Sequence, residues 1–280
     1  MFYNDRYLVR ILSSIPVVIV LFIISGIVYC YHDSFITTQE PTIPLLALYI
    51  LFYIDIILLC WSYISSVITD PGSIPSYFDF LSDESRIEIS NNKYNDEDCL
   101  ISKSSFCNKC DRNRPPRAHH CRICNRCILR MDHHCPWIGN CVGFHNYRYF
   151  IQFLIYACIG STIAGVCCGW LAIKENEFTS TANIIGACGG IFIGLTLTLL
   201  SGFHLWLLFT NRTTLEIYSS IEFNTFDNGG QNNFQIICGN FWAAYFLPIN
   251  AKNVGDGVIY PIKLREKAGG IEYFESKILK

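Results

Sequence analysis

The sequence predicts an all-α polytopic membrane fold: four transmembrane helices, with a small cysteine-rich domain between the second and the third. Three observations carry this. Apolar residues make up 51% of the 280, charged residues only 16%, and the mean hydropathy is +0.29. That balance favours a chain built for lipid over a soluble one. Four apolar runs each reach the ~20 residues needed to cross a bilayer. Between Cys107 and Cys141 stand seven of the fifteen cysteines and four of the seven histidines.

Residues 1–72 open with a short polar start containing Arg6 and Arg10. Two spans follow, at about 11–31 and 45–68. The first run is too long for a secretory leader and no small-residue cleavage pattern follows it, so it reads as an anchor that stays. Asp55 lies near the middle of the second span. A carboxylate is costly there, so it is expected to face the bundle as a structural acid. Asp70-Pro71-Gly72 breaks the helix. Residues 73–104 form an acidic cytoplasmic linker with seven acids and three bases, and 105–148 form the cysteine-rich domain. That domain is a basic island, with eight Lys and Arg against Asp111 and Asp132. Residues 149–210 hold two more spans, about 149–173 and 184–209. Gly186, Gly190 and Gly194 recur every four residues along the last, a face that another helix can approach closely. Residues 211–280 form a mixed C-terminal region. No internal repeat is evident. The cysteines in or near the spans, and Cys238 in the tail, read as packing residues; Cys99 is a candidate for acylation in the linker.

The two short loops between spans carry one Lys and no Arg, while the other twenty of the twenty-one basic residues lie elsewhere. By the positive-inside rule, both termini and the cysteine-rich domain are cytoplasmic. Asn211-Arg212-Thr213, formally a glycosylation acceptor, then faces the wrong side. The cytosol is reducing, so the cysteines are expected to bind metal or to react rather than to form disulfides. An endomembrane such as Golgi or endoplasmic reticulum is the expected location, and no nucleic-acid partner is expected.

Structural zinc takes four Cys or His ligands. Seven cysteines and four histidines exceed one ion, and two ions take eight, leaving three groups spare. Cys107-x2-Cys110 and Cys121-x2-Cys124 each read as half of a zinc knuckle. Adjacent residues point in different directions, so His120 and Cys121 are expected to serve different ions. The resulting interleaved partition is Cys107, Cys110, His120 and Cys127 on one ion, and Cys121, Cys124, His134 and Cys141 on the other. His119, His133 and Cys135 are left over.

Cys135 is the candidate nucleophile. Two Cys3His sites carry no net positive field and membrane proximity raises a thiol pKa, so activation must come from a base. His133 is two residues away and Asp132 can orient its imidazole. A thiol nucleophile at a membrane face suits thioester exchange. The basic island suits the phosphates of a coenzyme A carrier, with Arg114, Arg117 and His119 as candidate contacts. Two alternatives belong to other classes. A silent zinc-module adaptor would use every cysteine as a ligand, and a zinc hydrolase would need an open metal position.

The run Cys107-x2-Cys110-x3-Arg114-Pro115-x-Arg117-x2-His120-Cys121-x2-Cys124-x2-Cys127-x4-Asp132-His133-His134-Cys135-Pro136-Trp137-x2-Asn140-Cys141-x-Gly143 resembles the cysteine-rich domain of the DHHC protein S-acyltransferases, the palmitoyltransferases. Asp70-Pro71-Gly72 is similar to the family's DPG motif and Thr213-Thr214-x-Glu216 to its TTxE motif. Phe226-Asp227-x-Gly229-x3-Asn233-x5-Gly239 is similar to its C-terminal segment, though that segment starts differently here. The resemblance implies a two-step reaction. Cys135 takes a long-chain acyl group from acyl-CoA, palmitoyl-CoA above all, and passes it to a cysteine of a membrane-associated substrate protein. It implies that His133 is general base oriented by Asp132, that Thr214 bonds Asp132, that Asn233 packs the C-terminal segment, and that Trp137 sits near the acyl carbonyl. It supports the interleaved two-zinc partition. It also implies that side chains in the third span limit acyl length, so the small Gly160 and Ser161 are expected to tolerate chains longer than palmitoyl.

Overall fold

The computed structural model describes residues 2–36, 42–78, 105–174, 180–218, 226–250, 253, 255–258 and 260, with side chains from residue 14. Cys99 and most of the expected acidic linker lie outside the described residues. Four helices are long and apolar enough to cross a membrane: α1 (Phe2–Ile36), α2 (Ile43–Ile68), α3 (Tyr147–Lys174) and α4 (Thr181–Phe209). The cysteine-rich region lies between α2 and α3. α1 continues five residues past Tyr31, through a polar turn the sequence places in a loop, because that turn finds partners. Ser34 donates to the Cys30 carbonyl at 2.7 Å and to Asn183. His32 Nδ1 sits 2.6 Å from the Tyr49 hydroxyl and 3.1 Å from that of Tyr53.

The chain forms two compact units. The first comprises Met1–Val67, Pro136–Gly139 and Tyr149–Leu205. Its core gathers Tyr31, Phe52, Ala164, Cys167 and Cys168, so Cys167 and Cys168 are packing residues. Phe22, Phe192 and Leu199 are largely exposed, as lipid-facing side chains of a spanning bundle must be. The glycine face of α4 meets α3 at Gly165, where a Cβ on Gly190 would lie 2.7 Å from the Gly165 Cα. Backbones in direct contact gain close packing where no hydrophobic force separates helix from lipid. Asp55 is buried, as expected. It packs against α3 at Gly160, whose missing Cβ would lie 2.6 Å from the Asp55 carboxylate. The carboxyl from α2 thus occupies the space beside Gly160.

The second unit comprises Ile68–Cys135, Asn140–Arg148 and Trp206–Lys280. Its centre is three antiparallel hairpins: β1 (Ser105–Cys107) with β2 (Arg112–Arg114), β3 (His119–Cys121) with β4 (Arg126–Ile128), and β5 (His133–Cys135) with β6 (Asn140–Val142). The registers are equivalent: Cys107 faces Arg112, Cys121 faces Arg126 and Cys135 faces Asn140. Each turn carries a left-handed residue at the same place, Asp111 (φ 50°), Asn125 (φ 51°) and Gly139 (φ 59°), residue types that adopt this conformation most easily. The chain thus contains a repeat of about fourteen residues that the sequence reading did not find. Few side chains repeat, and His120/His134, Cys107/Cys121/Cys135 and Cys127/Cys141 become equivalent only once the hairpins are superposed in register.

One apolar cluster of the domain gathers Cys121, Ile128, Met131 and Cys141; a domain of this size builds little core for three short hairpins. The Asp70-Pro71-Gly72 turn braces it. Gly72 donates to Asp70 at 2.8 Å, Arg126 pairs with Asp70 at 2.6 Å, and Leu129 N–H donates to the Gly72 carbonyl at 3.0 Å. Beyond α4 follow the single turn α5 (Thr214–Ile217), then α6 (Gly230–Cys238) and α7 (Ala243–Phe246). Asn233 is fully buried and donates to the Phe209 carbonyl at 2.7 Å, satisfying an end-of-helix acceptor that α4 itself cannot pair.

Candidate active site

The hairpins bring the expected metal ligands together in two groups. In one, Cys110 Sγ and His120 Nδ1 are 3.2 Å apart, Cys107 Sγ and His120 Nδ1 3.7 Å, and Cys127 and Cys110 3.6 Å. In the other, Cys124 and Cys141 are 3.5 Å apart, and His134 Nδ1 lies 3.4–3.7 Å from Cys121, Cys124 and Cys141. A tetrahedron with bonds of 2.0–2.3 Å has edges of about 3.3–3.8 Å, so each group of three sulfurs and one nitrogen fits around one ion. Both groups could hold a metal. Each is shared between successive hairpins: the knuckle cysteines come from one, the histidine and last cysteine from the next.

The third hairpin departs from that rule. Cys135 stands where Cys107 and Cys121 stand, but Ile138 replaces the second knuckle cysteine, Cys110 or Cys124. Among the described residues no further hairpin follows to supply the remaining two ligands. The repeat thus leaves Cys135 outside both groups that could hold a metal.

Alternation along β5 divides its side chains. Residues two apart on a strand share a face. His134 turns to the metal group, while His133 and Cys135 lie on the opposite face. His133 Nδ1 bonds Asp132 Oδ2 at 2.6 Å, and Cys135 lies close enough on the same face to raise its pKa. Asp132 is fully buried and accepts twice from Thr214, from N–H at 3.0 Å and from the hydroxyl at 2.8 Å. Burial lowers the His133 pKa, but Asp132 and Cys135 outweigh it and hold the imidazole up to about 9. An imidazole so held is a strong proton acceptor beside a thiol, and the thiolate is the nucleophilic form of a cysteine.

Thr214 is aimed by a capping box. Thr213 accepts from Glu216 N–H at 3.3 Å while the Glu216 carboxylate accepts from Thr213 N–H at 2.9 Å, the reciprocal pairing that fixes a helix start. The four-residue turn needs this, since it is too short to hold itself. Glu216 is in turn clamped by Arg117, with Nε at 2.6 Å and Nη2 at 3.0 Å.

Arg117, expected at a coenzyme A phosphate, is buried and makes two more hydrogen bonds, to the Asn211 carbonyl and side chain at 2.7 and 3.1 Å. The structure engages it with protein rather than presenting it to solvent. Arg114 and His119 are half-buried and Trp137 is exposed. Burial, and after it the Arg114 cation, push the His119 imidazole down. Arg117→Ala is expected to cost about 3–5 kcal/mol by removing the cation that offsets the buried Glu216 carboxylate, read as a lower unfolding midpoint of the purified protein. Arg117→Lys should not restore it, because a lysine cannot bind a carboxylate with two parallel bonds. A variant of wild-type stability with only a raised KM for acyl-CoA would contradict this.

Sequence reasoning missed Asn211 and Arg130. Asn211 ends α4 in the left-handed conformation (φ 48°) and is buried. Its side chain accepts from Arg117 and Arg130 and donates to the Phe226 carbonyl. An asparagine directly after a helix is a known left-handed cap, a signal its glycosylation pattern obscured. Arg130 is fully buried over the Tyr147 ring, 5.0 Å from its centroid.

Residues 101–221 match the family model described as DHHC palmitoyltransferase. The chain is 32% identical to "Probable protein S-acyltransferase 13" of Arabidopsis thaliana, with 86% of each chain covered. It is 34% identical to "Probable protein S-acyltransferase 14" of the same plant, with 85% of each covered. It is 29% identical to the human "Palmitoyltransferase ZDHHC15" over 91% of this chain and 83% of the relative. With the metal groups, the buried aspartate and the free thiol already in place, these likenesses carry one conclusion: this chain belongs to the DHHC palmitoyltransferases, the protein S-acyltransferases.

Proposed function

We propose that this protein S-acyltransferase works through a Cys135 thioester, with the long-chain acyl group supplied by acyl-CoA, palmitoyl-CoA in the first instance. His133 takes the Cys135 proton. The thiolate attacks the acyl carbonyl, the bond to coenzyme A breaks, and His133 returns the proton to the leaving thiolate. In the second step His133 takes the proton of a substrate-protein thiol. That thiolate attacks the acyl-enzyme, and Cys135 leaves and recovers the proton. Nothing is oxidised or reduced. Asp132 holds the imidazole in one tautomer, Thr214 holds Asp132, and general base catalysis of this kind contributes about 10²–10⁴ in rate.

The observation that carries this reading is the Cys135–His133–Asp132–Thr214 chain on the metal-free face of β5. The two Cys3His groups are proposed zinc sites, since three sulfurs and one nitrogen in tetrahedral spacing suit that ion; zinc there would hold the hairpins together. Arg114, His119 and Trp137 are the proposed acyl-CoA contacts, while Arg117 acts through Glu216. Lys and Arg placement supports a cytoplasmic domain and termini, in an endomembrane, with membrane-associated proteins bearing cytoplasmic cysteines as acyl acceptors.

The test is incubation of purified protein with labelled palmitoyl-CoA. Wild type should acquire hydroxylamine-sensitive label and Cys135→Ala none. Wild type without label, or label undiminished in the variant, would sink the reading.

A further inference from the structure

Tyr260 lies well beyond the stretch matched by the family model, which ends at residue 221, yet it is 4% exposed in the unit that carries the active-site chain. It is anchored there. Its hydroxyl donates to the Gly257 carbonyl at 2.9 Å, and Gly257 (φ +75°) is pressed so close to the Phe144 ring that a Cβ would lie 2.7 Å from it. Asn253 donates to the Phe144 carbonyl at 2.7 Å, and Tyr77 donates to Asp256 at 2.7 Å. This C-terminal strap delivers one ring to one cation: the Arg117 guanidinium carbon is 4.7 Å from the Tyr260 centroid, with Phe226 at 4.2 Å.

Arg117 has lost its water entirely, its side chain being 0% exposed. A dehydrated guanidinium gains more from an aromatic face than a solvated one does. From it a continuous series of short contacts leads to the reacting thiol. Arg117 clamps Glu216, and Glu216 closes the capping box with Thr213. Thr214 then grips Asp132, and Asp132 holds His133. A shift of Arg117 changes the aim of Thr214, and hence of the imidazole.

We propose that Tyr260 is a positioning residue for the acyl transfer, its ring holding Arg117 and through it the Glu216–Thr214–Asp132 support of His133. This rests on the acyl-Cys135 reading above. It assigns catalytic consequence to a tail segment outside the matched domain, and it makes the ring, not the hydroxyl, the working part.

The experiment compares full-length Tyr260→Leu and Tyr260→Phe with wild type, measuring Cys135 acylation against palmitoyl-CoA concentration and bound metal per chain. Leucine keeps the apolar bulk and removes the ring; phenylalanine keeps the ring. Tyr260→Leu should retain both metals and wild-type KM while kcat falls by about tenfold, on the order of one dehydrated cation–π contact. Tyr260→Phe should restore wild-type kcat. The proposal is overturned by wild-type kcat in Tyr260→Leu, by metal loss in that variant, by a raised KM with kcat unchanged, or by Tyr260→Phe as slow as Tyr260→Leu. Absence of label on wild type would overturn the acyl-Cys135 reading and this proposal with it. Labelled wild type beside any of the preceding outcomes overturns this proposal alone.

Discussion

Cys141→Ser is expected to release one metal equivalent and unfold the cysteine-rich domain. Cys141 is fully buried and joins Cys121, Cys124 and His134 around the second proposed ion. The apolar cluster around Cys121, Ile128, Met131 and Cys141 draws on short strands, and a structural zinc site contributes on the order of 10 kcal/mol to folding. Whole domains are stable by only about 5–15 kcal/mol, so no other interaction there can offset the loss. The interleaving makes the damage spread. His134 and Cys141 come from the third hairpin and Cys121 and Cys124 from the second, which also supplies His120 and Cys127 to the first ion. Metal content by mass spectrometry should fall from two to one or fewer, with acylation abolished. A Cys141→Ser protein that keeps two ions and wild-type stability would contradict the ligand assignment.

His133→Ala is expected to slow acylation of Cys135 by about 10²–10⁴ at neutral pH while both metals remain bound. The pH dependence gives the effect a sign. In wild type the imidazole, held up to about 9 by Asp132 and Cys135 against the lowering effect of burial, accepts the thiol proton across the neutral range. Without it, the thiol proton can leave only to base from solvent, whose concentration rises tenfold per pH unit. The variant's rate should therefore climb about tenfold per pH unit between 6 and 8, where wild type changes far less. A flat variant profile, or a wild-type rate at pH 7, would remove His133 from the mechanism.

The four spans were legible because lipid imposes one requirement on every residue of a long run. The metal groups were legible because Cys-x2-Cys spacing is local, and the direction change between His120 and Cys121 is a property of any strand. What the residues alone could not show was long-range and conformational. The contact of Gly165 with Gly190 depends on where two helices cross. The burial of Arg117 depends on Glu216, ninety-nine residues later. Basic character suggested a phosphate contact, and only packing reveals that a carboxylate already holds it. Gly160 looked like empty space because its neighbour Asp55 comes from another helix. The hairpin repeat was hidden for a related reason: its equivalence lies in backbone register and left-handed turns, and Ile138 breaks the side-chain pattern at the position that matters most.

That break is the centre of the account. The cysteine-rich domain holds two groups that could each take a metal and a third, degenerate knuckle, and the thiol released by that degeneracy is the proposed nucleophile. Cys135→Ser tests it most directly, with metal content and palmitoyl label measured on the same preparation. Two metal equivalents per chain together with loss of the thioester label are expected, because Cys135 ligates nothing and carries the acyl group. Loss of a metal equivalent, or a thioester label that persists at the wild-type level, would contradict it.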